Sequence, residues 1–303
     1  MTTTSAAPVA APRRAAPPAP GRPRTDRSHL RRRISSSLVY AVLVAIACVY
    51  IYPFLINVAT SFKTNAEATA NPLTLVPSWS LEAYTTLFLR SDFPLWFTNS
   101  LIVTVFVTSG RVFFNSLAGY ALARVDFRGR GVVFAGLIAV MAVPGVVLLI
   151  PKFLVIKQLG MYDTYAGMII PLLCDAAGVF IMKNFFESIP RSVEEAAKLD
   201  GASTFRTFWS VVLPMARPAL VTLVILSFQG SWNELSHFIV STQSPDLMTL
   251  TKGVAQLASG SLSSGNQFPL KLAAAAVMTI PVAIMFFVFQ KRIMNTSDGA
   301  EKG

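Results

Sequence analysis

Pro190–Pro214 reads PRSVEEAAKLDGASTFRTFWSVVLP and lies between two long apolar runs. Pro190 cannot extend a helix out of the run before it, because it lacks an amide N–H and its ring clashes with the preceding turn. Ser192, followed three residues later by Glu195, fits a capping box in which each side chain satisfies the other's free backbone amide. A short helix over 193–199 is expected to follow. Asp200-Gly201 is a turn signal, and Ser203 is placed to cap a second short helix over 204–212. Pro214 stands before the next apolar run. The stretch therefore predicts a compact polar helix–turn–helix beside a membrane. Ala196 and Ala197 are small enough for close approach by a partner, and Glu194, Glu195 and Lys198 can set its register. On the physics alone, an ordinary interfacial loop between two spans is an equal reading.

The flanking runs supply the fold class. The chain has 303 residues, of which 53% are hydrophobic and only 14% charged, and its mean hydropathy is +0.55. A soluble domain carries roughly 25% charged residues. A helix that crosses a bilayer needs about 20 mainly apolar residues. Six segments answer to that length, at 38–60, 97–123, 132–150, 164–185, 215–238 and 269–290. Pro53, Pro144, Pro171, Pro218 and Pro281 fall inside them, which membrane helices tolerate. The expected fold is an all-α membrane protein with six transmembrane helices.

Charge sets the orientation. With the N-terminus in the cytoplasm, 19 Lys and Arg fall on the inner side and six on the outer, with Arg111 inside a span. Excess basic residues mark cytoplasmic loops, so both termini are expected inside. The formal net charge of +11 would suggest nucleic acid in a soluble protein. Here the arginines cluster beside apolar runs, so no nucleic-acid partner is expected. Residues 1–34, rich in Ala, Pro and Arg, are expected to be a disordered cytoplasmic tail. The run from Leu38 is as long as a span and lacks a clear small-residue cleavage site, so it is a retained first span rather than a signal peptide. Residues 35–303 then form one transmembrane domain. Cys48 and Cys174 lie in apolar runs and His29 and His237 are far apart, so neither a structural disulfide nor a metal site is expected.

Motifs narrow the class further. Glu195-Ala196-Ala197, then Asp200-Gly201-Ala202, then Leu213-Pro214 resemble the "EAA" loop of binding-protein-dependent ABC importer permeases. Asn99-Ser100-Leu101 opens the second run as in that family. Tyr120-Ala121-Leu122-Ala123-Arg124, followed by Phe127-Arg128-Gly129, closes it in the same way. Trp232-Asn233 late in the fifth run, and the terminal Gly299-Ala300-Glu301-Lys302-Gly303, are similar to the carbohydrate-uptake branch, whose chains end Gly-Ala-Val-Lys-Gly. The resemblance runs from about Leu38 to Gly303 and is to the smaller, maltose-type permease subunit. Glu301 departs from the usual Val, Asn295 stands where Gly is frequent, and the Arg-rich block at the N-terminus has no counterpart.

The resemblance implies a type I ABC importer permease fold in a bacterial plasma membrane, with residues 187–214 as its coupling loop. Glu195, Ala196, Ala197, Asp200, Gly201, Ala202 and Pro214 would dock in a groove of a separate ATPase. The implied partners are a second homologous permease, two ATPase copies and an external sugar-binding protein. ATP and Mg would be held by the ATPase, leaving no cofactor on this chain. The sequence contains no Gly-x-x-x-x-Gly-Lys-[Ser/Thr] loop to cradle phosphates, so the chain is not expected to be an enzyme. The rival class is a secondary transporter or channel subunit, marked by inverted repeats and interrupted helices. No convincing internal repeat is present.

Charged residues within spans are the remaining candidates. Arg111 and Asp175 lie near the middle of the second and fourth runs, where an isolated charge costs at least about 2.5 kcal/mol. Both fall about 17 Å below the outer face at the rise of a helix, so they are matched in depth for pairing, or for lining a translocation path. Asn233 and Glu234 can bond sugar hydroxyls, and Trp232 can stack on a sugar face. The competing reading for these three is packing between helices. His237 and Asn115 are weaker candidates of the same kind.

Overall fold

A computed structural model of the chain describes residues 27–260 and 267–298, with side chains for 38–260 and 267–290. The expectations for residues 1–26, for the terminal motif at 299–303 and for the side chain of Asn295 lie outside the described residues. The chain divides into two units, residues 1–53 and 54–303.

The first unit holds most of helix α1, Arg27–Ser61. That helix begins inside the basic block, so residues 27–34 are helical rather than disordered. Arg is a good helix former, and nothing between Arg27 and Leu38 stops a helix.

The second unit carries the rest. After α1 come two short helices, α2 (Asn65–Ala70) and α3 (Glu82–Leu89), between the first and second expected spans. Thr64 caps α2. The Lys63 ammonium, almost fully buried, donates to the carbonyl of Asn71 at 2.9 Å. Next are α4 (Phe93–Arg124) and α5 (Arg130–Met141). A short turn at Gly145–Leu148 leads to α6 (Leu149–Gln158). Helix α7 (Tyr165–Ile169) passes through a tight turn to α8 (Ala176–Ser188). The loop helices are α9 (Arg191–Leu199), α10 (Thr204–Thr207) and α11 (Leu213–Met215). The chain ends with α12 (Arg217–Trp232), α13 (Ser236–Ser241), α14 (Leu250–Ser259) and α15 (Phe268–Asp298).

Four helical segments, Leu38–Ser61, Phe93–Arg124, Tyr165–Ser188 and Phe268–Gln290, are long and apolar enough to cross a membrane, and two bent pairs raise the total to six. Three of the expected spans differ from straight rods. The third bends by 104° between Met141 and Gly145. Pro144 forces this, since the residue before a proline is pushed out of the helical region. The fifth begins at Arg217, after an 82° bend, and ends at Trp232 rather than reaching Phe238. The fourth is interrupted at 173–175, just after Pro171.

Helix α4 is the central post. Its heaviest packing is against α8 and α12. Near the loop end, Tyr120, Met182, Phe186, Phe208, Val212 and Leu223 form one apolar cluster. Near the opposite end, Phe93, Trp96, Trp232, Leu250 and Leu257 form another. Gly119 lets α4 and α8 approach: a Cβ there would stand 2.7 Å from Met182 Cβ and 2.9 Å from the Lys183 amide. Gly119→Leu is expected to force the two helices apart at a cost of about 1–3 kcal/mol. A clear fall in the thermal midpoint of the purified protein is the expected reading, and an unchanged midpoint would contradict this packing.

Candidate functional site

The loop between α8 and α12 is built by two stops and a turn. Pro190 is the residue preceding α9, with φ −58° and ψ 134°. Its fixed φ starts the helix at Arg191, two residues earlier than expected. Ser192 is therefore inside the first turn and caps nothing, which corrects the capping-box reading. The other end is a Schellman motif. Gly201, at φ +79°, donates its amide to the Lys198 carbonyl at 3.0 Å, and Ala202 donates to Ala197 at 2.9 Å. Only a residue free of Cβ strain adopts that conformation at low cost. The hydroxyl of Ser203 accepts from the Arg206 amide at 3.3 Å, as expected of a cap. Helix α10 then loosens into a π-helical turn over Phe208–Val212, so the expected single helix over 204–212 is interrupted.

The helical period sorts the residues of α9 into two faces. Glu194 and Ala197, three apart, are buried. Glu195, Ala196, Lys198, Leu199, Asp200 and Gly201 are exposed, with Leu199 at 90% exposure. Ala202 is half-buried and Pro214 exposed. Of the seven residues assigned to docking, Ala197 alone is fully turned inward. Leu199 and the stacked, exposed pair Phe205 and Trp209 add apolar surface that the sequence reading passed over. Their signal was an unpaired hydrophobe at a turn.

Glu194, expected with Glu195 and Lys198 to set a partner's register, is instead turned inward. Its Oε1 lies 3.0 Å from Arg124 Nε, at an angle outside a hydrogen bond, so both atoms count as unbonded while the charges still touch. Its Oε2 accepts from the Tyr120 hydroxyl at 3.2 Å. Arg124 Nη2 also donates to the carbonyls of Phe186 and Ile189, at the end of α8. A Glu three residues before a small buried Ala on one helix face was the available signal.

Arg111 and Asp175 do meet, at 3.4 Å, with their side chains 14% and 33% exposed. The cause is the broken fourth span. Pro171 has no N–H, so the Gly167 carbonyl loses its helical partner. His237 Nε2 lies 3.2 Å from that carbonyl and from that of Met168. Carbonyls only accept, so Nε2 carries the proton. Arg111 Nε donates to the Leu172 carbonyl at 2.8 Å. Asp175 is therefore not a charge in mid-helix: it is the N-cap of α8, its Oδ1 accepting from the Gly178 amide at 2.7 Å. Asn115 Nδ2 donates to Asp175 Oδ2 and its Oδ1 accepts from the Asp175 amide, each at 3.1 Å.

Trp232 is a packing residue. It is 1% exposed, stacks on Phe228 and meets Phe97 edge-on, and donates its indole N–H to the Met278 carbonyl at 3.1 Å. Stacking on a sugar is thereby excluded in this conformation, because the ring's apolar neighbours already cover it. Asn233 ends α12 with an exposed side chain that donates to the Gln229 carbonyl. Glu234 Oε1 accepts from the His237 amide at 2.9 Å. The residues singled out for the substrate path thus fall into separate sets, Arg111 with Asp175 and Asn233 with Glu234. Asn99, which opens the second run, ties α4 to the carbonyls of Asp246 and Met248 and accepts from the Tyr165 hydroxyl at 2.6 Å. On the same side, Asp163 at φ +58° bonds the amides of Gln243 and Ser244. The Ser244 hydroxyl, with these amides, holds its carboxyl below the usual range. Among the described residues no cluster of three or more His, Cys, Asp or Glu is placed to hold a metal.

The chain is similar to known proteins in sequence and in fold. The chain is 31% identical to the diacetylchitobiose uptake system permease protein NgcG of Streptomyces coelicolor, over 86% of this chain and 87% of that one. It is 30% identical to the arabinooligosaccharides transport system permease protein AraQ of Bacillus subtilis, over 89% and 96%. In a crystal structure of a bacterial ABC transporter that imports the acidic polysaccharide alginate, one chain superimposes with a TM-score of 0.74 at 28% identity, covering 90% of this chain and 99% of that one. Residues 115–295 match the model of the binding-protein-dependent transport system inner membrane components. A shared fold and a match over more than half the chain lead to one conclusion: it belongs to the family of binding-protein-dependent transport system inner membrane components.

Proposed function

We propose that the chain is a permease subunit of an ATP-driven importer for a di- or oligosaccharide, with the ATPase on a separate partner. The observation that carries this is the free face of α9, where Leu199 is 90% exposed beside Ala196 and Gly201. An apolar tip on an otherwise polar helix calls for a groove in a partner. ATP and Mg would be held by that partner. Two ATPase copies, a second permease and an external sugar-binding protein complete the assembly. Both termini face the cytoplasm, in keeping with the 19-to-6 bias of Lys and Arg.

In this reading ATP binding closes the ATPases and carries α9 with them. The cavity turns outward, the binding protein releases its sugar, and hydrolysis resets the cavity. Arg111 and Asp175 line the path beside the break in the fourth span while bracing it, and Asn233 and Glu234 present polar groups toward its far end. Interrupted spans alone would also suit a secondary transporter. The docking helix and the sugar-uptake permeases among the relatives favour the importer.

The test is affinity purification of the tagged chain from its native membrane. It should recover an ATPase and a second permease. The recovered complex, in proteoliposomes with its binding protein, should take up one of labelled diacetylchitobiose, arabinotriose, maltose or an alginate oligosaccharide only with MgATP. Uptake of these sugars without ATP, or purification that never yields an ATPase, would sink the reading.

A further inference from the structure

We propose that Glu194, held by Arg124 and Tyr120, is the positioning residue that makes the docking helix and the ends of α4 and α8 move as one body. The proposal deepens the importer reading and rests on it.

The need for such a clasp follows from how little else holds α9. Glu194 and Ala197 are its only buried residues. The Ala197 methyl and the half-buried Val193 make a small apolar anchor, since burial contributes roughly 25 cal/mol per Å². The covalent joint to α8 is the two residues Ile189 and Pro190, because α8 ends at Ser188 and α9 starts at Arg191; the proline fixes its own φ, while rotation about ψ remains open. Without a further link, force applied at Leu199 would rotate α9 about that joint rather than displace α8.

The clasp supplies the link. Arg124 sits at the last residue of α4, and its side chain is 5% exposed while that of Glu194 is 9% exposed. Its guanidinium touches the Glu194 carboxylate on α9 and the carbonyls of Phe186 and Ile189 at the end of α8. Tyr120, one turn earlier on α4, donates to the second carboxylate oxygen. Three helices therefore converge on one buried cation. Arg suits this role, because its planar fork serves several acceptors in a fixed geometry. A second tier, in which Glu187 takes Lys183 at 2.8 Å and Arg130 at 3.5 Å, is more exposed, with the Glu187 side chain at 40%. Pairs that exposed contribute little, so the buried tier sets the geometry.

The experiment uses the complete transporter. Spin labels at Arg128→Cys and Arg191→Cys, both exposed positions on the α4 and α9 sides, report the distance across the clasp in a Cys48→Ala, Cys174→Ala background. In the parent the distance distribution should be narrow and the same without nucleotide and with MgATP–vanadate. Glu194→Gln keeps the shape and removes the charge, and Tyr120→Phe removes one hydroxyl. Both should broaden the distribution or make it depend on nucleotide. Uptake per ATP hydrolysed should fall at least about tenfold for Glu194→Gln and a few-fold for Tyr120→Phe. A merely structural role would lower the yield of complex and leave uptake per ATP unchanged, and that outcome overturns the proposal. So do parent-like distances in both variants. Should Glu194→Gln not assemble, Tyr120→Phe alone decides. If the parent complex shows no ATP-driven uptake, the importer reading has failed, while the distances still test the clasp.

Discussion

Asp175→Ala is expected to destabilise the chain by about 3 kcal/mol, through three losses at one carboxylate. Removing the N-cap of α8 costs about 0.5–2 kcal/mol. Leaving Arg111 without its counter-ion in the interior costs more, since breaking a fully buried pair costs about 3–5 kcal/mol. Asp175 keeps a third of its side-chain exposure, and solvent screening lowers that figure. The third loss is the acceptor for Asn115. Asp175→Asn separates these effects. Asn caps a helix as well as Asp does, so this variant should keep the cap while losing the charge pairing and the acceptor for Asn115, and fall between the parent and Asp175→Ala. Arg111→Met should match or exceed Asp175→Ala, because it also leaves the Leu172 carbonyl without its donor. Thermal inactivation midpoints of the purified transporter would order the four proteins. Parent-like midpoints for both Arg111→Met and Asp175→Ala would show that the pair braces nothing.

The second large effect is expected at the tip of α9. Leu199→Asp places a charge where the proposed groove buries an apolar side chain. Burying a Leu contributes about 1.5–3 kcal/mol, and a carboxylate in the same place adds a desolvation cost. Recovery of the ATPase with the tagged chain should fall more than tenfold. Gly201→Val acts differently. No atom stands within 4 Å of a Cβ there, so the cost is backbone strain alone, about 1–2 kcal/mol for a side chain in the left-handed region. The Schellman turn should loosen, and uptake should drop while the protein remains in the membrane. Full uptake and normal ATPase recovery in both variants would remove the docking assignment. Glu195 is exposed, with no side-chain hydrogen bond or ion pair among the described residues, so Glu195→Ala should by contrast affect docking without changing the stability of the isolated subunit.

These two regions show different degrees of legibility. Length, hydropathy and the Lys/Arg distribution were enough for an all-α protein with up to six spans, because apolar length and loop charge are properties of local sequence. The turn at Asp200-Gly201 and the cap at Ser203 were legible for the same reason: each is a short-range backbone effect. The start of α9 was misjudged by two residues because a proline at 190 competes with a capping box at Ser192, and the fixed φ of the proline prevailed. The bends at Pro144 and Pro218 were present as prolines in apolar runs. Their angles depend on what packs beside them.

Sequence alone determined that this is a multi-span membrane protein with a polar helix–turn–helix between its fourth and fifth spans, and its motifs pointed to the importer family. Only the tertiary structure decided which side chains meet. It paired Arg111 with Asp175, because a broken helix left a carbonyl to be filled, 61 residues away in sequence. It buried Trp232 among aromatic neighbours. It also turned Glu194 rather than Glu195 inward, onto Arg124. The physical reason is common to all three. Hydrophobic period and backbone turn chemistry act within a few residues, whereas the partner of a buried polar group is chosen by whichever distant helix brings a complementary donor or acceptor within reach.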